Sequence, residues 1–269
     1  MGKVLDFKRL RAALLDLDGV MYRGVQLCHG AAEFVSSMRR IGVRPFFLSN
    51  NSRAAAGSVA SKLTQLGVPV REEEVVTAAE LMVQYLAAGR QKGRAAVIGS
   101  EWVASQLEAA GWSLSGSEAD CLVVGLDHEL TYAKLQMGVD ALLHGAAFIA
   151  ANLDPVNPIE RTLEPGCGAI VAALQRATSR RATCIGKPNL RMLRTALGRL
   201  QVQAGEALVI GDSLVSDMAL ARRGSAHSAL LLSGQTNQAM VERLPAGSRP
   251  ELVLEDLAAL ESLWLSSIN

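Results

Sequence analysis

Apolar residues along this chain fall into short runs that alternate with stretches of helical spacing. Residues 12–17 are an apolar run broken only by Asp16, and with Gly19 they read as a buried strand and its turn. Phe34, Val35, Met38 and Ile41 recur at helical spacing over 31–41, and Gly42 stops that helix. Residues 44–48 read as a second strand ending in the polar cluster Ser49-Asn50-Asn51-Ser52, and 54–66 as a helix ended by Gly67. Thr77, with Glu80 three residues on, predicts a capped helix over 81–87. Further strands are expected over 95–98, 121–125, 147–150, 183–185, 207–210 and 229–232. Helices are expected over 101–109, 132–143, 168–177, 190–200, 215–222 and 256–263. The Pro- and Asn-rich stretch 152–166 reads as a polar loop. Strand–helix alternation over such a length predicts an α/β fold, a doubly wound parallel sheet with helices on both faces. The most polar connections, 89–93 and 179–183, are where domain junctions are expected.

Composition narrows the class. Of 269 residues, 49% are hydrophobic and 20% charged, which supports a packed core in one large or two ordinary domains. Aromatics are only 4%, so Leu, Val, Ile and Ala must fill that core. A net charge of +1 and the lack of a Lys/Arg stripe argue against nucleic acid and membrane surfaces as partners. No apolar stretch approaches the roughly 18 residues of a membrane span. Cys28, Cys121, Cys167 and Cys184 are widely spaced and form no CxxC pair, as expected of free thiols in a reducing, cytoplasmic protein. His29, His128, His144 and His227 lack metal-ligand spacing and read as structural.

The candidate chemistry begins with Asp16 and Asp18. An apolar strand brings two carboxylates, one residue apart, to the carboxyl edge of a sheet, where α/β proteins bind ligands. Like charges this close must share a proton or a cation, and a magnesium ion beside a phosphate would resolve that conflict. A second apolar strand leads into Ser49, Asn50 and Asn51, neutral donors suited to phosphate oxygens. A third leads into Lys187-Pro188, with a compact positive charge. A fourth leads into Gly211-Asp212, with Asp217 a turn further on. Each alone has an ordinary explanation: an Asx turn, a solvated lysine, a helix cap. Four in this order, each after an apolar strand, point to a single site.

This set resembles the haloacid dehalogenase-like superfamily of phosphohydrolases. The segments 123–135, 147–155 and 163–174 are similar to the type IIA cap of its p-nitrophenyl phosphatase, phosphoglycolate phosphatase and NagD-like branch. The resemblance implies a Rossmann-like catalytic core over 1–80 and 184–269, with an inserted α/β cap over 81–183. It implies a magnesium-dependent phosphatase acting on small phosphate monoesters such as sugar, polyol or nucleotide phosphates. Asp16 would be the nucleophile that forms an aspartyl-phosphate. Asp18 would be the general acid and then the base. Asp16, Asp18 (through its carbonyl) and Asp212 would hold Mg²⁺, with Asp217 behind them. Ser49, Asn50, Asn51 and Lys187 would hold the phosphoryl oxygens. The chain departs from the pattern at Ser213 and Ser216, where Arg or Asn, and Thr, are often found, and at Leu153, where Pro is common.

The loop over 22–30 is too short to cover such a site, so the cap is expected to exclude water and meet the leaving group. Asn152, Asp154, Asn157, Glu160, Arg161 and Glu164 are the candidate contacts. Met137 and Leu142-Leu143 are candidates for a homodimer through the cap. Two alternatives share the acids and the lysine: a phosphoacceptor signalling domain and an inactive phospho-ligand-binding protein. Asp18 as a ready acid and the long insert argue against the first, and complete motifs against the second.

Overall fold

The computed structural model describes residues 5–89, 92–159 and 162–268. These form two compact units. Described residues within Met1–Ser49, Ala60–Val75 and Leu193–Asn269 make the first, and those within Asn50–Val59 and Val76–Met192 the second.

The first unit is built on a six-stranded sheet ordered Leu252–Leu254, His227–Leu231, Ala207–Gly211, Ala12–Leu15, Arg44–Ser49 and, where the chain leaves the unit, Val75–Thr77. The first five pair in parallel. Numbered along the chain from the Val75 edge, the order is 3-2-1-4-5-6, the doubly wound arrangement expected from the alternation. Every residue of Ala12–Leu15 and Ala207–Gly211 is buried, which is why these strands read as unbroken apolar runs rather than alternating ones. The first strand stops two residues earlier than its apolar run. The Leu17 carbonyl accepts from the Met21 and Tyr22 N–H groups, so Leu17 is buried in the turn and not in the ladder.

The scarce aromatics are concentrated. Trp264, on the helix Leu257–Ile268, is fully buried between Phe7 and Phe34, with ring centroids 5.2 Å and 6.1 Å away. Phe34 belongs to the helix Ala31–Arg40, which starts at Gly30 with φ +76°. A Cβ there would lie 2.6 Å from the Ala258 nitrogen, so only glycine lets the two helices approach this closely.

The second unit holds a five-stranded, wholly parallel sheet: Ser113–Leu114, Arg94–Ile98, Cys121–Val124, Ala147–Ala150 and Thr183–Cys184. Numbered along the chain, its order is 2-1-3-4-5. The helices Tyr132–Leu143 and Cys167–Thr178 cover one face, around Ile98, Leu122, Phe148 and Leu174. Leu142 lies within this core and Met137 packs against it, while Leu143 is exposed. Of the residues expected at a dimer surface, Leu143 is therefore the one open to a partner.

The stretch 152–166 differs from the expected loop. Val156–Ile159 and Thr162–Pro165 pair as an antiparallel hairpin, Asn157 opposite Glu164. Its apolar Val156 and Leu163 are exposed, so these positions carry no buried-face signal of the kind that marks a strand. The small hairpin of Tyr22–Arg23 and Gln26–Leu27 and the helix Gln238–Glu242 are too short to leave a periodic signal. Among the described residues, no helix is long and apolar enough to cross a membrane.

All four cysteines are free. Burial pushes the Cys121 and Cys167 thiols up to about 12, which leaves almost no thiolate near neutrality. Iodoacetamide at pH 8 is expected to leave Cys121 and Cys167 unlabelled in the native protein, with any labelling confined to the half-buried Cys28 and Cys184. Peptide mass mapping reads the result, and urea should expose all four.

Candidate active site

In the first unit, register does most of the placing. Leu15 pairs with Ile210, so Asp16 leaves its strand beside Gly211 and Asp212. The Asp16 N–H still donates to the Ile210 carbonyl, at 2.9 Å. These two strands run to opposite sides of the sheet in their onward connections, so Asp16 and Asp212 stand at its switch point. Leu15 also pairs with Phe47, which brings the buried Ser49 out two residues further along the neighbouring strand.

One carboxylate oxygen from each of Asp16, Asp212 and Asp217 lies within 4.8 Å of the other two. Asp212 and Asp217 are both buried. Asp217 opens the helix Asp217–Gly224 and accepts from the Ser213 N–H at 3.2 Å. Ser213 Oγ in turn accepts from the Ser216 N–H, so the two serines that depart from the family pattern build the turn presenting Asp217. The Asp18 side chain is exposed and is not in this group of three. Asp217, expected behind the metal, is in it.

Glycines make the crowding possible. A Cβ on Gly211 would overlap the Asp217 carboxylate, and one on Gly234 would overlap that of Asp212. Gly19, at φ +83°, closes the Asp16–Asp18 turn, and a Cβ on it would lie 3.0 Å from the Gly234 Cα. The loop carrying Gly234 had not been singled out from the sequence. In it the Gln235 N–H donates to Asp212 Oδ2 at 2.8 Å, the Thr236 hydroxyl to the Asp212 carbonyl at 2.6 Å, and the Ser233 hydroxyl to the Gly19 carbonyl at 2.8 Å. Its signal was available: a Ser-Gly-Gln-Thr run directly after an apolar strand.

Tyr22 and Lys62 were also missed. The Lys62 ammonium sits 3.6 Å from the centroid of the Tyr22 ring. Burial, and then the charges of Asp18 and Asp16, push the Tyr22 phenol well above its ordinary range. Burial lowers the Lys62 ammonium, while the Asp18 charge acts in the opposite sense.

In the second unit, Asn50 is the hub. Its Oδ1 accepts from the Lys187 N–H and its Nδ2 donates to Asp154 Oδ2, both at 2.8 Å. Asn152 Nδ2 donates to the Asn50 carbonyl at 2.6 Å, and the Asp154 N–H donates to Asn152 Oδ1 at 3.0 Å. Asn50, Asn152, Asp154 and Lys187, read from distant motifs, thus form one network. Lys187 and Asn152 are both buried, and burial of a lysine is uncommon enough to mark a role. Gly186 permits the approach, since a Cβ there would lie 2.6 Å from Asn50 Oδ1. Asn51 does something else: its Oδ1 accepts from the Arg53 and Ala54 N–H groups and turns the chain ahead of the helix Ala56–Gln65. Asn157 Nδ2 donates to Glu164 Oε1 across the hairpin at 3.4 Å. Glu160 and Arg161 lie outside the described residues.

Each histidine ring has a local partner: His29 with Asp256, His128 with Glu164, His144 with the Asp140 carbonyl and His227 with Glu251. Among the described residues, the group suited to a metal is made of carboxylates only.

The haloacid dehalogenase-like hydrolase model matches residues 13–113, and an HAD-hydrolase-like model matches 184–260. The 5'-nucleotidase YutF of Bacillus subtilis is 33% identical over 86% of this chain and 90% of its own length. The chain belongs to the haloacid dehalogenase-like hydrolase family. Its solved relatives in that family include NagD from E. coli, at 25% identity and a TM-score of 0.83, covering 93% of this chain and 97% of that one. A glycerol phosphate phosphatase from Mycobacterium tuberculosis, in complex with magnesium, matches at 32% identity and a TM-score of 0.85, over 94% of this chain and 77% of that one. Within the family the chain is a NagD-like phosphoric monoester hydrolase, and the expected fold, a doubly wound α/β core with an inserted cap, is borne out.

Gly234 gives a direct test of the packing around Asp212. Replacing it with alanine is expected to cost about 1–3 kcal/mol, the usual range for overpacking a tight site. Urea unfolding of Gly234→Ala beside the parent measures it. A midpoint unchanged from the parent would show that the loop yields freely and does not hold Asp212.

Proposed function

We propose that the chain is a magnesium-dependent phosphatase that hydrolyses small phosphate monoesters through an aspartyl-phosphate on Asp16. Residues 1–80 and 184–269 are the catalytic core and 81–183 the cap. The observation that supports this most is the convergence of Asp16, Asp212 and Asp217 within 4.8 Å at a sheet switch point.

The donor set suits magnesium. Three carboxylate oxygens are hard ligands of the kind that ion prefers. Asp16, Asp212 and the Asp18 carbonyl would hold it, with Asp217 close enough to add a ligand or steady the others. When bound, magnesium supplies positive charge against the phosphoryl oxygens and against the acids themselves.

Phosphoryl transfer is chiefly a problem of bringing an anionic nucleophile to an anionic group, so positioning and charge neutralisation carry it. Asp16 attacks the phosphorus in line with the leaving oxygen, the phosphorus–oxygen ester bond breaks, and Asp18 gives its proton to the departing alcohol. Asp18, now a carboxylate, takes a proton from water, which attacks the aspartyl-phosphate, releases phosphate and restores Asp16. Its exposed position suits an acid that must exchange protons with solvent. The Lys187 ammonium, with Ser49 and Asn50, holds the phosphoryl oxygens. The Asn50 hydrogen bond to the Lys187 N–H fixes these two residues to each other.

The substrate is a small phosphate ester of a hydroxylated alcohol: a sugar, polyol or nucleotide phosphate. The names of the relatives support that breadth, running from 5'-nucleotidase and acid sugar phosphatase to dihydroxyacetone phosphatase. In the cap, Asp154 and Glu164 suit hydroxyl groups of the alcohol. A homodimer through the cap, with Leu143 at the contact, belongs to the same proposal.

Two measurements test the reading. Asp16→Asn should remove p-nitrophenyl phosphate turnover with the fold intact, and Asp18→Asn should lower it by about 10²–10⁴-fold. Full turnover in a folded Asp16→Asn protein would refute the nucleophile. Separately, magnesium should raise the thermal midpoint of the parent by linkage, and Asp212→Asn should abolish the rise. If the parent's midpoint ignores magnesium while turnover persists in EDTA, the metal assignment is wrong.

A further inference from the structure

A cavity of about 570 Å³ lies in the second unit, built entirely from that unit's residues. Its volume falls within the range of small-molecule sites, roughly 300–1,000 Å³. Its position follows the rule that located the carboxylates in the first unit. In an order of 2-1-3-4-5, connections leave in opposite directions from strands 1 and 3, here Arg94–Ile98 and Cys121–Val124. Ligands of such sheets bind at the carboxyl ends of those two strands. Gly99-Ser100 and Leu126-Asp127, the residues that follow them, line the cavity.

The lining defines a ligand different from a phosphate ester. Val97, Leu114 and Met137 give it an apolar wall. Its charged side chains are three acids, Glu101, Asp127 and Glu129, against two cations, Arg53 and Lys134. Asp127 takes up Lys134, with Nζ to Oδ2 at 2.8 Å, which leaves Glu101 and Glu129 against Arg53. Glu101 also occupies the first turn of the helix Glu101–Ala109, where an anion would otherwise be favoured. A dianion is repelled here, whereas hydroxyl and amine groups find acceptors.

The walls are tied to the Asn50 network. The Ser100 hydroxyl donates to the Arg53 carbonyl at 2.7 Å, and the Leu126 N–H to the Ser52 hydroxyl at 2.9 Å. Ser52 is buried and follows two residues after Asn50, which bonds the Lys187 N–H. A Cβ on Gly125 would lie 2.8 Å from the Ser52 carbonyl, so this wall presses directly on the segment.

We propose that this cavity is an effector site. It takes a neutral or cationic organic molecule that bears hydroxyl or amine groups on an apolar body, and its occupancy shifts the Asn50 segment. The binding half stands on the cavity alone, and the effect on turnover rests on the phosphatase reading above.

The test titrates the full chain with adenosine and with glucosamine. Calorimetry follows binding, and p-nitrophenyl phosphate hydrolysis in magnesium follows turnover. At least one probe is expected to bind saturably and to change kcat or KM. Ser115→Trp, which fills the cavity from its rim, should abolish that binding and its effect while basal turnover is kept. Glu129→Lys, on an exposed loop, should weaken glucosamine by about tenfold and keeps the test decisive if the tryptophan variant misfolds. The proposal is overturned if neither probe binds, if binding survives both variants, or if binding leaves kcat and KM unchanged. A parent with no basal turnover would sink the phosphatase reading instead, with the binding result still to be read by itself.

Discussion

Three carboxylates within 4.8 Å of one another, two of them buried, set the terms for the rest of the first unit. With an effective dielectric of about 20, each like-charged pair at that separation costs roughly 3 kcal/mol. The protein bears this because the groups are fixed by covalent and backbone geometry. Parallel register places Asp16 beside Asp212, and the helix start at Asp217 closes the set. Backbone N–H groups of Ser213 and Gln235 donate to Asp217 and Asp212, so part of the negative charge is met by fixed dipoles. A divalent cation among these oxygens, as proposed above, would relieve the repulsion further.

What could be read in the sequence follows from how each element earns its stability. Strands buried on both faces must be apolar throughout, so Ala12–Leu15 and Ala207–Gly211 announced themselves, and with them the acids at their ends. Helices with one buried face left their spacing in Phe34, Val35 and Met38. In the hairpin of Val156–Ile159 and Thr162–Pro165 the apolar Val156 and Leu163 are exposed, and backbone pairing by itself leaves no pattern. Among the site residues, those following a strong strand in a motif were legible. Gly234, Tyr22 and Lys62 were not. Gly234 acts by lacking a side chain, and Lys62 meets Tyr22 only through tertiary packing. Asn51 was legible as a polar residue of the right motif, but local turn chemistry claims its oxygen.

The two units solve the same topological problem with different side chains at the switch point. Both are parallel sheets whose first strand lies inside the order, and each therefore has one place where diverging connections leave room at the carboxyl edge. In the first unit that place carries three acids with carboxylate oxygens within 4.8 Å of one another. In the second, Asp127 and Lys134 largely cancel, and the space beside them is walled by Val97, Leu114 and Met137. One backbone plan thus leaves an acidic cluster at one switch point and a part-apolar cavity at the other.

Ser49 and Asn50 fall on either side of the division between the two units. They are consecutive residues of one motif, yet Ser49 ends a strand of the first unit and Asn50 begins a segment of the second. Asn50 answers to its own unit on three sides, through Lys187, Asp154 and Asn152. Asn152 and Asp154 lie on one segment and Lys187 on another more than thirty residues further on, so Asn50 ties together two separate parts of its own unit. Neighbours in sequence are thus held by different means: Ser49 as the buried end of a strand, Asn50 by hydrogen bonds to side chains and backbone of distant segments.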